Sequence, residues 1–325
     1  MPVAYAASGG NNPTGSSRPP LNLTGKRNRN WSEHVVKWVL AACAAFTLLV
    51  TVGIALILGY ESIRFFREVP VWEFLFGNEW TALFPADARF GVFPLIRGTL
   101  VIAGISACVS IPFGLMAAIY LSEYAGDRTR GTIKPVLEIL AGVPTIVYGY
   151  FALKFITPNL IEPILDVGVF NGLSAGIAVG IMTLPLVASL SEDALRAVPI
   201  SLREAAYGLG ATTFETAVRV VVPAAISGVI ASFILAISRA IGETMIVALA
   251  AGSRPAGMGA DGPWDPTGSM QTMTGFIAQA FSGDVSRGSV QFYSLFGVGL
   301  LLFLMTFAMN MLSNWVARRF REEYQ

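Results

Sequence analysis

Long runs without a charged side chain constrain this sequence more than any other feature. Trp38 to Tyr60 is the first, Gly98 to Ser122 the second, Ile139 to Leu153 a shorter third and Val167 to Ser191 the fourth. A fifth, from Val220 to Gly252, is broken only by Arg239 and Glu243, and a sixth runs from Gly288 to Ala317. A helix needs about 20 mostly apolar residues to cross a bilayer. Inside lipid every backbone amide must also find its partner within the chain, which leaves helices as the natural form for such runs. The expectation is an all-α polytopic membrane protein with six transmembrane helices. Composition agrees: 13% of residues are charged and 54% apolar, too few charges to cover a water-soluble globule of 325 residues.

Residues 1–30, rich in Gly, Asn, Ser and Pro, read as a disordered tail. The basic cluster Arg18, Lys26, Arg27 and Arg29 precedes an apolar run too long for a signal peptide, and no small-residue cleavage site follows. The domain expected after the tail is a six-helix unit over 31–325. Segments before helix 1, between 2 and 3, between 4 and 5 and after 6 hold 14 Lys and Arg, against 7 in the alternate segments. The positive-inside rule then puts both termini in the cytoplasm. Net charge is +1, which gives no argument for nucleic acid. His34 stands alone as the single histidine, and Cys43 and Cys108 fall inside apolar runs; no metal-ligand spacing exists. Pro and Gly within the spans (Pro112, Gly114, Gly142, Pro144, Pro185, Gly242) allow two readings: kinks with close helix packing, or broken helices lining a pathway.

The segment 199–223 carries the most functional information. Ser201 with Glu204, and Thr212 with Glu215, have capping-box spacing, so each pair predicts a helix start. Leu202, Ala205, Ala206 and Leu209 share one face of the first helix, and Gly210 ends it. Such a small-residue face outside the bilayer suits either a docking protein, approaching Ala205, Ala206 and Gly210 closely, or lipid headgroups, for which its stripe is small.

Arg239 and Glu243, four residues apart, would share a face of the fifth helix and pair. Arg239 would lie about 24 Å beyond Pro223 along a straight helix. Ionisable residues at membrane depth usually face a bundle interior or a polar path. Two uses are open: a self-neutralising packing lock, or a guanidinium fork for an anion, oriented by Glu243. There is no G-x-x-x-x-G-K-[ST] phosphate loop and no nucleophile–base set, so the chain is expected to be non-catalytic, with any ATP bound by another polypeptide.

Glu204-Ala205-Ala206, three residues, Gly210, nine residues and then Val220-x-Val222-Pro223 resembles the EAA loop of ABC importer permeases, with Val where that family usually has Ile and Leu. Ala141–Gly149, Arg239–Met245 and Phe90–Leu100 are similar to the phosphate-specific branch, whose two permeases are PstC and PstA; Glu243-Thr-Met245 sides with PstC. The resemblance covers about residues 35 to 320. It implies a type I importer permease in a prokaryotic inner membrane, forming half of a phosphate path with a PstA-like second permease. It also implies two copies of a cytoplasmic ATPase, which would use ATP and Mg and dock at Glu204, Ala205, Ala206 and Gly210, and a periplasmic phosphate-binding protein. Sulfate or molybdate is the alternative cargo. A self-contained secondary carrier should show inverted repeats, and no convincing duplication is visible; an intramembrane enzyme would need a nucleophile or metal ligands beside Arg239 and Glu243.

Overall fold

The computed structural model describes residues 27–84, 87–255, 262, 264–283 and 285–319, which are mostly helical, with no β-strand among them and one isolated antiparallel bridge between Trp80 and Phe90. Residues 1–26 of the expected tail lie outside the described residues. The chain divides into two units, 1–55 and 56–325, and the boundary falls inside α1 (Arg27–Glu68), which starts within the stretch expected as tail. In α1 no residue of the apolar window is buried.

The second unit holds α2 (Val71–Phe76) and α3 (Phe93–Ile119, with a π-turn to Tyr124). Then come α4 (Asp127–Ala141), α5 (Thr145–Phe151, continued as π-helix to Ile161), α6 (Gly172–Arg196) and α7 (Ile200–Gly208). A helical stretch from α8 (Thr213–Thr216) through a π-turn to α9 (Val222–Ala224) leads into α10 (Ile226–Ile241). Next follow α11 (Met245–Ala250), α12 (Met273–Ser282) and α13 (Val290–Arg319). Among the described residues, four helices are long and apolar enough to cross a membrane, and the crossings number up to six when two bent pairs each count as one.

Those bent pairs correct two expected spans. The third run does not continue as one helix: Gly142-Val-Pro144 turns the chain by 87° between α4 and α5, because Pro144 supplies no amide to the turn before it. The apolar run therefore falls across two helices, and its part beyond the turn extends to Ile161, past the expected end at Leu153. The fifth run bends by 74° at Ala225, and α10 ends at Ile241, before Glu243.

Small residues let the helices approach. A Cβ on Gly114 would lie 2.7 Å from Val187 Cβ, one on Gly176 2.7 Å from Ile105 Cβ, and one on Gly228 2.5 Å from Ala194 Cβ. With no solvent to drive apolar surfaces together in lipid, this contact is what joins α3, α6 and α10. The expected Pro and Gly positions thus serve both close packing and helix breaks.

At one end Phe65, Phe74, Trp80 and Phe276 form an aromatic core, Trp80 meeting Phe276 edge-on at 4.8 Å. It gathers the segments between spans 1 and 2 and between 5 and 6. At the opposite end Ala118, Leu195, Val198 and Val221 gather the segments between spans 2 and 3 and between 4 and 5. Alternate loops therefore collect at opposite ends, as six crossings require.

Candidate functional site

α7 lies at that second end and does not begin with the expected Ser201–Glu204 capping box. Its N-cap is Pro199, with no side-chain hydrogen bond, so Ser201 falls inside the first turn. The ring of Pro199 fixes φ at −55°, which already suits the position before a helix and moves the start upstream. The far end behaves as expected. Gly210 adopts φ +85°, its N–H donating to Tyr207 O at 2.9 Å while Ala211 N–H donates to Ala206 O at 3.1 Å. This paired closure is the Schellman arrangement, which favours glycine. The second capping box forms: Glu215 N–H donates to Thr212 Oγ1 at 3.3 Å and Thr212 N–H to Glu215 Oε2 at 2.9 Å. Those bonds hold the exposed Glu215 carboxyl below its usual range.

The expected docking stripe is split. Ala206 is buried and Leu202 half-buried against the body of the chain, so Ala206 offers nothing to a partner. Glu204, Ala205 and Gly210 are exposed, and Leu209 is 91% exposed. The division follows from a side chain to which residue spacing gives no clue. Arg203 donates to Glu123 Oε1 at 3.1 Å, to Val198 O at 2.6 Å and to Leu195 O at 2.8 Å. It adds a side-chain donor to Leu195 O, which also accepts the Val198 N–H at 3.3 Å, and to Val198 O just past the end of α6, and in doing so sets the roll of α7.

A second cluster lies next to it. Glu192, 0% exposed near the end of α6, meets Arg130 Nη2 at 2.7 Å and Lys134 Nζ at 2.8 Å, with Arg196 Nη1 at 3.9 Å. Lys134 also reaches Asp193 Oδ1 at 2.8 Å. A buried carboxylate persists only when paired in this way. The sequence carries half of the signal, in that Glu192 and Asp193 directly follow an apolar run, but Lys134 lies 58 positions from Glu192 in the chain.

Arg239 and Glu243 do not pair. The helix stops at Ile241, so the four-residue spacing no longer implies a shared face. Glu243 is buried and its Oε1 accepts N–H bonds from Met245 at 3.2 Å and Ile246 at 3.3 Å, capping α11. Thr274 Oγ1 donates to the Glu243 carbonyl at 2.7 Å. Arg239 is exposed and has no ion pair among the described residues. It is the 14th residue of α10, about 20 Å along that helix at 1.5 Å per residue, rather than about 24 Å along a straight one from Pro223. Lys154 is a further cation, exposed and midway along Thr145–Ile161. It is the charge that ends the expected third run at Leu153, yet the helix continues through it to Ile161.

The family described as binding-protein-dependent transport system inner membrane component matches residues 110–322. A probable ABC transporter permease protein, YqgH, of Bacillus subtilis (strain 168) is 31% identical over 300 residues, covering 91% of this chain and 94% of its own. The phosphate transport system permease protein PstC of Haemophilus influenzae is 31% identical over 318 residues, covering 91% and 96%. PstC of Mesorhizobium japonicum is 32% identical over 299 residues, covering 86% and 87%. Among solved structures, a chain of a bacterial alginate ABC transporter superposes with a TM-score of 0.61 over 90% of this chain and 98% of its own, at 14% identity. A chain of the MetNI methionine ABC transporter gives 0.52 over 71% and 94%, at 16% identity. These two likenesses concern the fold.

Proposed function

The chain belongs to the family of binding-protein-dependent transport system inner membrane components, and from that premise we propose that it is one half of the membrane path of an ATP-driven inorganic phosphate importer. The observation that carries the reading is the similarity to PstC permeases along nearly the whole chain. A second, PstA-like permease would complete the path, an extracytoplasmic binding protein would deliver phosphate, and two cytoplasmic ATPase subunits would dock on α7. Both chain termini would be cytoplasmic, consistent with the Lys and Arg bias and with α4 and α7 sharing one end.

The exposed face of α7 has the chemistry for such docking. Ala205 and Gly210 allow close approach, Leu209 presents apolar surface beside them, and Glu204 supplies a charge for register. On the path, Arg239 offers a planar donor fork that no carboxylate of the described chain occupies, and guanidinium suits a tetrahedral oxyanion. Glu243 supports it indirectly, by capping α11 next to the end of α10.

Uptake of labelled phosphate, normalised to assembled complex in the membrane, tests this. Arg239→Gln should abolish uptake with the complex intact, and Arg239→Lys should impair it strongly. Glu243→Gln should keep much of the activity, because an amide oxygen can still accept both N–H bonds. Normal transport by Arg239→Gln would remove Arg239 from the path. Competition by sulfate or molybdate stronger than by unlabelled phosphate would overturn the choice of cargo.

A further inference from the structure

A 15-residue helix, α4, buries none of its residues. It is joined to α5 across the 87° turn at Gly142–Pro144 and to the π-turn ending α3 across Ala125–Gly126. Ile133 and Leu137 are only half-buried and the Tyr148 hydroxyl donates to Leu140 O at 2.8 Å near its end; the remaining hold on the body is charge: Arg130 and Lys134 on Glu192, and Lys134 on Asp193. A helix attached by ion pairs rather than by buried apolar area can leave its seat at little hydrophobic cost, and both of its ends carry a break where the chain can swing.

The π-turn before it is where Arg203 of α7 grips, through Glu123, itself 3% exposed. Only Ala125 and Gly126 separate Tyr124 from the start of α4. The links therefore close a ring: α7 to Glu123 by Arg203, Glu123 to α4 through Ala125–Gly126, α4 to α6 by Glu192, and α6 back to α7 through the turn at Pro199. We propose that this ring transmits movement of α7 to α4, with Arg203 and Glu123 as positioning residues of the transport cycle and the Glu192 cluster as the latch that seats α4. The inference rests on the docking role proposed for α7 and adds the element that the docked helix moves.

The physical basis is the contrast between the two joints. Arg203 makes hydrogen bonds to a carboxylate and two carbonyls at once, a rigid grip with a fixed fork geometry. The latch instead joins Glu192, 0% exposed while α4 is seated, to cations 26% and 24% exposed; it opens only as α4 withdraws and lets water reach the carboxylate, so seating and pairing are lost together. Force applied to α7 would be carried through the first joint and released at the second.

A spectroscopic label on α4 reads this directly. The Cβ position of Gly131 meets open space, so Gly131→Cys in a Cys43→Ser, Cys108→Ser background takes a spin label or fluorophore. In the assembled transporter, MgATP trapped with vanadate should shift the label's spectrum, and Arg203→Gln should abolish most of that shift while nucleotide trapping persists. A label blind to nucleotide in the intact complex, or a full shift in Arg203→Gln, overturns the proposal. A second pair of substitutions does not depend on Arg203. Lys134→Cys with Asp193→Cys, bridged by a thiol-reversible bifunctional reagent in the same cysteine-free background, pins α4 while Arg130 still pairs with Glu192. Phosphate uptake should collapse on bridging and return on reduction; transport unchanged by the bridge refutes a moving α4. If α7 does not dock the ATPase, Gly210→Trp will transport normally whatever α4 does, so the two readings fail separately.

Discussion

Arg203→Ala tests how α7 is held. The wild-type guanidinium lies 3.1 and 3.3 Å from the two Glu123 oxygens, 2.6 Å from Val198 O and 2.8 Å from Leu195 O. Truncation leaves Glu123, 3% exposed, with the Ser122 hydroxyl at 2.7 Å still donating to it, and strips two carbonyls at the end of α6 of this donor. Breaking a buried ion pair by removing one partner costs about 3–5 kcal/mol. The Arg203 side chain is 15% exposed, so water can reach part of the vacated space and the lower figure, about 3 kcal/mol, applies. At about 1.4 kcal/mol per tenfold, that is roughly a hundredfold rise in the fraction of chains with α7 detached. Arg203→Lys keeps the charge but not the fork, and should fall between, at about 1–2 kcal/mol. The assay is hydrogen exchange of the amides of 200–208, in the chain purified with its membrane partner. Exchange in Arg203→Ala at the native rate would refute the anchoring and, with it, the explanation of why Ala206 faces inward.

Three further outcomes follow from the same geometry. Gly210→Asn should transport close to the native rate, since Asn tolerates positive φ, whereas Gly210→Trp should abolish uptake in an assembled complex; equal activity of the two would remove the docking role. Gly114→Leu should drive α3 away from Val187 and Ala188, costing about 1–3 kcal/mol, and an unchanged melting temperature in detergent would contradict the close packing. With both native cysteines replaced, Glu79→Cys and Gly262→Cys should label from outside with an impermeant reagent, while Gly126→Cys and Gly208→Cys should label only after the membrane is opened; outside labelling at Gly208 would invert the topology.

The long apolar runs determined by themselves that the chain is helical and crosses a membrane, because hydropathy is a sum over neighbours in sequence and needs no tertiary partner. The same locality made Gly210 and the Thr212–Glu215 box legible, since their hydrogen bonds span only a few residues. Local patterns failed where another local preference competed: Ser201–Glu204 has capping-box spacing, yet Pro199 starts the helix first. They failed again where a helix stopped short, as at Ile241, which separates Arg239 from Glu243 despite their spacing. Only the tertiary structure decided which charges meet. Lys134 with Glu192, and Arg203 with Glu123, are pairs 58 and 80 residues apart, and desolvation in the folded chain is what makes each choose its partner.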